Sequence, residues 1–82
     1  MKMLDIRFVK ERDSKKLAEQ EMTIQKLTQK LPSRISEKFQ GVEVRVRFSS
    51  SSGFDIFGFK GDEKNRFLVF LEEIWEDPFL LD

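Results

Sequence analysis

Cysteine and histidine are both missing from this 82-residue chain. Without cysteine there is no disulfide, no thiol nucleophile and no thiolate metal site. Without histidine the commonest metal ligand and the commonest general base near neutral pH are gone as well. Net charge is lacking too: 15 Lys and Arg face 15 Asp and Glu. That balance argues against a strongly cationic nucleic-acid binder. No apolar run approaches the ~20 residues of a membrane span, and Met1 to Lys10 alternates instead of forming the apolar core of a signal segment. What is present is 37% charged and 12% aromatic, and the aromatic content argues for packing over disorder. At this length one domain is expected over residues 1–82. The composition points to a small, intracellular, non-catalytic binding domain; a cytoplasmic location is expected, with no cofactor, no metal and no membrane contact.

Charge is balanced in total but not in position. Residues 1–48 carry twelve Lys or Arg against seven Asp or Glu, whereas residues 49–82 carry three against eight. From Phe67 onward the acids are Glu72, Glu73, Glu76, Asp77 and Asp82, and there is no base. Two solvated surfaces of opposite sign would explain this. So would an acidic helix offered to a basic partner, and net charge alone does not separate the two readings.

Hydrophobic periodicity orders the elements as β-α-β-β-α. Leu4, Ile6 and Phe8 alternate with Asp5 and Arg7, the period of a half-buried strand over Met3 to Lys10. Asp13 or Ser14 is placed to cap a helix. The apolar stripe Ile24, Leu27, Leu31, Ile35 and Phe39 recurs at spacings of three and four, predicting a helix over Leu17 to Phe39. Pro32 lies inside the stripe, which keeps its phase, so the pattern predicts one helix kinked near residues 28–32 rather than two. Gly41 is expected to end it. Val42, Val44, Val46 and Phe48 form the inner face of a second strand, with Glu43, Arg45 and Arg47 outside. The serine run Ser49 to Gly53 reads as the connection of an antiparallel hairpin to a third strand, Phe54 to Phe59. A second helix follows from Asp62, with Phe67, Phe70, Leu71 and Ile74 as its stripe, and Pro78 stops it near Glu76 or Asp77. The tail Phe79-Leu80-Leu81 is placed to fold back over the core edge. The predicted fold is α+β, with two helices packed on one face of a three-stranded mixed sheet.

The segment Phe54-Asp-Ile-Phe-Gly-Phe-Lys-Gly-Asp-Glu-Lys-Asn-Arg, followed by Leu71-Glu-Glu-Ile-Trp-Glu, resembles the DinI family of small bacterial, phage and plasmid proteins that modulate RecA. Gly58, Lys64, Arg66, Leu71, Glu73, Trp75 and Glu76 match the family's pattern without a gap. Arg34-Ile35, Phe39 and the alternating strand Val42 to Phe48 resemble it upstream. The resemblance implies the same β-α-β-β-α fold. It also implies binding to RecA filaments on single-stranded DNA, with modulation of the DNA-damage (SOS) response; a monomer or weak dimer is expected. The surface it implicates is the acidic last helix. Glu73 and Glu76 match acids of that helix, and Glu72 and Asp77 extend the patch in this sequence. No direct DNA contact is expected.

Other readings of the same residues stay open. Arg7, Arg45 and Arg47 with Phe57 and Phe59 could make the open sheet face a nucleic-acid-binding surface, or the arginines could pair across strands with Asp5, Glu43 or Asp55. A phage or plasmid antirepressor on the same fold is a further alternative. Phe59 either faces water beside Phe57 or is turned inward by a bulge at Gly58. Trp75 reads as core or core edge beside Leu68 and Leu71, with a binding anchor as the alternative.

Overall fold

The computed structural model describes residues 1–80. Its elements are β1 (Lys2–Val9), α1 (Ser14–Ser36), β2 (Val42–Ser49), β3 (Gly53–Phe57) and α2 (Asp62–Glu76). Among the described residues, no helix is long and apolar enough to cross a membrane.

Asp13 starts α1: its Oδ1 accepts from the Lys15 amide at 2.9 Å, occupying one of the first-turn donors that lack an intrahelical partner. The helix runs unbroken through Pro32. It buries Leu27, Leu31 and Ile35, the middle of the predicted stripe. It ends at Ser36, before Phe39 and Gly41. The Lys38 and Phe39 amides both donate to the Ile35 carbonyl, and this tight turn swings the Phe39 ring against Phe67 and Phe70. Gly41, at φ 75°, then redirects the chain into β2.

The sheet order is β2-β1-β3. β1 is parallel to β2, its partner across α1, and antiparallel to β3. The expected hairpin between the second and third strands is therefore corrected: both pair with β1 and neither with the other. Two physical reasons favour this arrangement. The link Ser50–Ser52 has no Asn-Gly or Asp-Gly pair to set a tight turn. Its extended reach is about 13 Å at ~3.3 Å per residue step, enough to cross the ~9.6 Å of two strand spacings. The central place also goes to the strand with most to bury, since Leu4, Asp5 and Ile6 are all buried.

Both helices cover one face of the sheet. Leu4 and Ile6 join Leu27, Leu31 and Ile35 of α1 and Phe67, Phe70, Leu71 and Ile74 of α2 in one core. The inner residues of the edge strands, Val42, Val44, Val46 and Ile56, pack against its margin. Leu80 folds back into this core, as the tail pattern predicts, while Phe79 is exposed. Leu81 lies outside the described residues. At the other end of α2, the Lys2 Nζ donates to Glu63 Oε2 at 2.6 Å, tying the start of β1 to the start of the helix.

Candidate partner-binding site

α2 presents its apolar stripe to the core and leaves the opposite arc of its C-terminal half to solvent. Glu72, Glu73 and Glu76 are exposed, and among the described residues none of them makes an ion pair. At about 100° per residue, Glu76 lies between the other two, and the three carboxylates span about 100° of the helix surface. This arc stands at the negative end of the helix dipole, with no basic residue in the last turn. Both the dipole and mutual repulsion oppose it, by a few tenths of a kcal/mol up to about 1 kcal/mol each. A sequence shaped by stability alone would place Lys or Arg there.

Asp77 stands apart from this group. Its Oδ2 accepts from Arg34 Nη1 of α1 at 2.7 Å, and its Oδ1 accepts from the Phe79 amide at 2.9 Å. The Phe79 amide, then Arg34, hold its carboxyl below the ordinary aspartate value. Its side chain is thus engaged in ending α2 ahead of Pro78 and in fastening α2 to α1. The fourth predicted site residue is a structural anchor here, and the free acidic surface consists of Glu72, Glu73 and Glu76.

Trp75 is the sole tryptophan of the chain, and it is 50% exposed. It lies at the core edge, as one sequence reading has it, but faces outward. Together with Leu68 and Leu71 it forms one wall of a cavity of about 540 Å³. The lining also includes Ile6, Arg7 and Phe8 of β1, Ser52, and Gly53 and Phe54 of β3, with the exposed Glu72 and Glu76 on the rim. Periodicity does not reveal this groove, because it forms where α2 crosses the β1–β3 end of the sheet. Sequence spacing shows only that Trp75 lies beside Leu68 and Leu71 at the core edge.

The open face of the sheet carries a different arrangement. Asp5 stands directly opposite Asp55 across the β1–β3 ladder and opposite Arg45 across β1–β2. Like charges facing each other destabilise a sheet unless compensated. Arg47 compensates Asp5 with two bonds, Nε to Oδ1 at 3.1 Å and Nη2 to Oδ2 at 3.0 Å. Arg7 donates to Asp55 Oδ2 at 2.6 Å and sits 3.6 Å from Asp5. Asp5 is only 5% exposed. Its carboxyl is held below the ordinary value chiefly by the hydrogen bonds from Arg47; burial opposes this, and the charges of Arg47, Arg7 and Arg45 add to it. Of the three arginines proposed for phosphate contact, two are thus committed to carboxylates. Phe59 is also withdrawn. Gly58, at φ 81°, turns the chain after β3 ends, and the Phe59 ring stacks on Phe67 at 4.3 Å. Phe57 alone of the aromatic pair stays exposed on that face.

The lowered carboxyls of Asp5 and Asp77 link stability to acid pH. Asp5 and Asp77 both have lowered values in the folded state. Their contribution is therefore complete above the unfolded aspartate value, about 4. It disappears as pH falls through the lower folded values. Thermal unfolding followed by circular dichroism is expected to be nearly flat between about pH 7 and 5 and to drop below about pH 4. Asp5→Asn should lower stability at pH 7 and flatten the acid drop. An undiminished acid drop in that variant would show that Asp5 is not one of the linked groups.

A family model described as the DinI-like family matches residues 20–78. The chain belongs to the DinI-like family. No curated protein and no solved structure matches it. The DinI-like match begins inside α1 and takes in the whole of β2, β3 and α2. It therefore includes the acidic arc, the Arg34–Asp77 pair and the α2 wall of the groove, but not β1. Membership places the chain among DinI-type regulators, a group known as non-catalytic. Among the described residues there is no cluster of three or more metal-ligating side chains.

Proposed function

We propose that this DinI-like protein is a regulator that binds RecA filaments on single-stranded DNA through the exposed acidic arc of α2, and so modulates the SOS response. One observation carries the reading: Glu72, Glu73 and Glu76 form an arc without ion partners among the described residues, at the helix end where the dipole disfavours negative charge. Local rules of stability are broken most often where function requires it. A basic surface on the filament would supply the missing counter-charges. Family membership supports a protein partner such as RecA, and the pairing of Arg7 and Arg47 with carboxylates weighs against direct phosphate binding by the sheet.

The test is co-sedimentation with RecA filaments, with bare single-stranded DNA as control. Glu73→Lys combined with Glu76→Lys is expected to keep the melting temperature, because both side chains are exposed and the change suits the helix dipole. It is expected to abolish co-sedimentation, and co-sedimentation of the parent protein is expected to fall as salt is raised, since rim charges act on salt dependence. Unchanged binding by the folded double variant would reduce the acidic arc to a solvated surface. Binding to DNA without RecA would move the site to the open sheet face around Arg45 and Phe57.

A further inference from the structure

The acidic arc and the apolar groove share a border. Going round α2 from the core, the order is Leu71, Trp75, Leu68, Glu72, Glu76 and Glu73, in steps that follow from the ~100° advance per residue. Leu71, Trp75, Leu68, Glu72 and Glu76 all line the same cavity. Phe54 of the edge strand β3, itself 49% exposed, lines the same cavity from the sheet side. The groove thus has an apolar floor, two half-exposed aromatic walls, and a carboxylate pair along one rim. The cation on its border, Arg7, is already bound to Asp55 and Asp5. The charge available to an incoming ligand is therefore negative only.

We infer that this groove receives a protein segment bearing one large apolar side chain flanked by Lys or Arg, with the apolar side chain between Phe54 and Trp75 and the cations on Glu72 and Glu76. This rests on the proposed function and deepens it, by stating what the partner must insert at the acidic helix. Two features select the occupant. The rim carboxylates reject an acidic or phosphorylated segment and steer a basic one. The apolar cavity, about 540 Å³ in volume, rewards a buried side chain that a purely electrostatic partner lacks. A partner held this way keeps part of its affinity at high salt, which distinguishes insertion from charge contact alone.

Trp75 reports on its own site, since no other tryptophan contributes to the emission. The probe is the acetylated, amidated peptide Arg-Lys-Phe-Lys-Arg, compared with its counterpart carrying Ser for Phe. The Phe peptide is expected to shift Trp75 emission to shorter wavelength, saturably, with half-saturation below about 1 mM. Part of that binding should persist at about 0.5 M salt, where the screening length has fallen to about 4 Å. The Ser peptide should produce no shift. Phe54→Ser, at a half-exposed position and checked for folding by circular dichroism, should weaken the Phe peptide about tenfold at every salt concentration. Glu72→Gln with Glu76→Gln should weaken it at low salt only. Equal response to both peptides, or no response to either, overturns the inference. So does a blue shift that grows with protein concentration in the absence of peptide, which would mean that a second copy fills the groove. RecA filaments separate the two levels of the argument. Filament binding with Trp75 emission unchanged overturns the groove and leaves the filament reading intact. Capture of the Phe peptide without filament binding supports the groove and overturns the filament reading.

Discussion

Phe67→Ala is expected to remove about 3–5 kcal/mol of stability, the usual cost of emptying a fully buried aromatic site. Phe67 has no exposed surface. Its ring meets Phe39 edge-on at 5.2 Å and stacks on Phe59 at 4.3 Å. It thereby joins three parts of the chain that β-pairing does not connect: the turn after α1, the segment after β3, and α2 itself. A domain of this size holds roughly 4–12 kcal/mol in total, so the loss consumes a large share of it. In urea the unfolding midpoint should fall by about 2 M or more. The exposed phenylalanines supply the control, because Phe57→Ala and Phe79→Ala remove rings that are 51% and 70% exposed. Those variants should stay within about 1 kcal/mol of the parent. A Phe67→Ala midpoint close to theirs would mean that the aromatic cluster repacks around the vacancy.

Gly58→Ala should be the most damaging change of a small residue. At φ 81° the position lies in the left-handed region, where a Cβ costs about 1–2 kcal/mol. Space is also lacking: a Cβ there would collide with the Met1 carbonyl oxygen and fall 2.9 Å from its carbon, both backbone atoms. Relief requires the start of β1 to move, which disturbs the Met3–Phe57 pairing at that end of the sheet, or requires Gly58 to change conformation, which withdraws Phe59 from Phe67. The expected loss is about 2–4 kcal/mol, seen as a melting temperature lower by about 10 °C or more. Gly41→Ala isolates the steric part. Gly41 has a similar φ of 75° but no atom within 4 Å of the added Cβ. If the two variants melt together, the close approach to Met1 contributes nothing.

Most of the secondary structure was legible in the sequence because each element carries its own period. Leu27, Leu31 and Ile35 mark a helical stripe whatever they pack against, and its unbroken phase across Pro32 was enough to predict one helix. The alternation of Leu4, Asp5 and Ile6 likewise assigns inner and outer faces before any partner strand is known. The acids Glu72, Glu73 and Glu76 were visible as candidates for the same reason: spacing alone places them away from the apolar stripe of α2. What periodicity does not carry is the identity of neighbours. It did not show that Asp77 is tied to α1, since its bond to Arg34 joins positions 43 residues apart. It left Phe59 undecided, because a glycine at positive φ changes which face the next residue meets.

The sequence by itself determined the order of elements, the face each helix and strand buries, and the acidic character of the last helix, because these depend on intervals of two, three and four residues within single segments. The tertiary structure alone decided that β1 stands between β2 and β3, that Arg47 and Arg7 are engaged by Asp5 and Asp55, and that Trp75 and Phe54 line one groove. Each of these is a long-range pairing, and many pairings satisfy the same local periods. The choice among them rests on which arrangement buries Leu4 and Ile6 under both helices while giving the buried carboxylate of Asp5 its guanidinium partner, a condition that only the whole packed chain can meet.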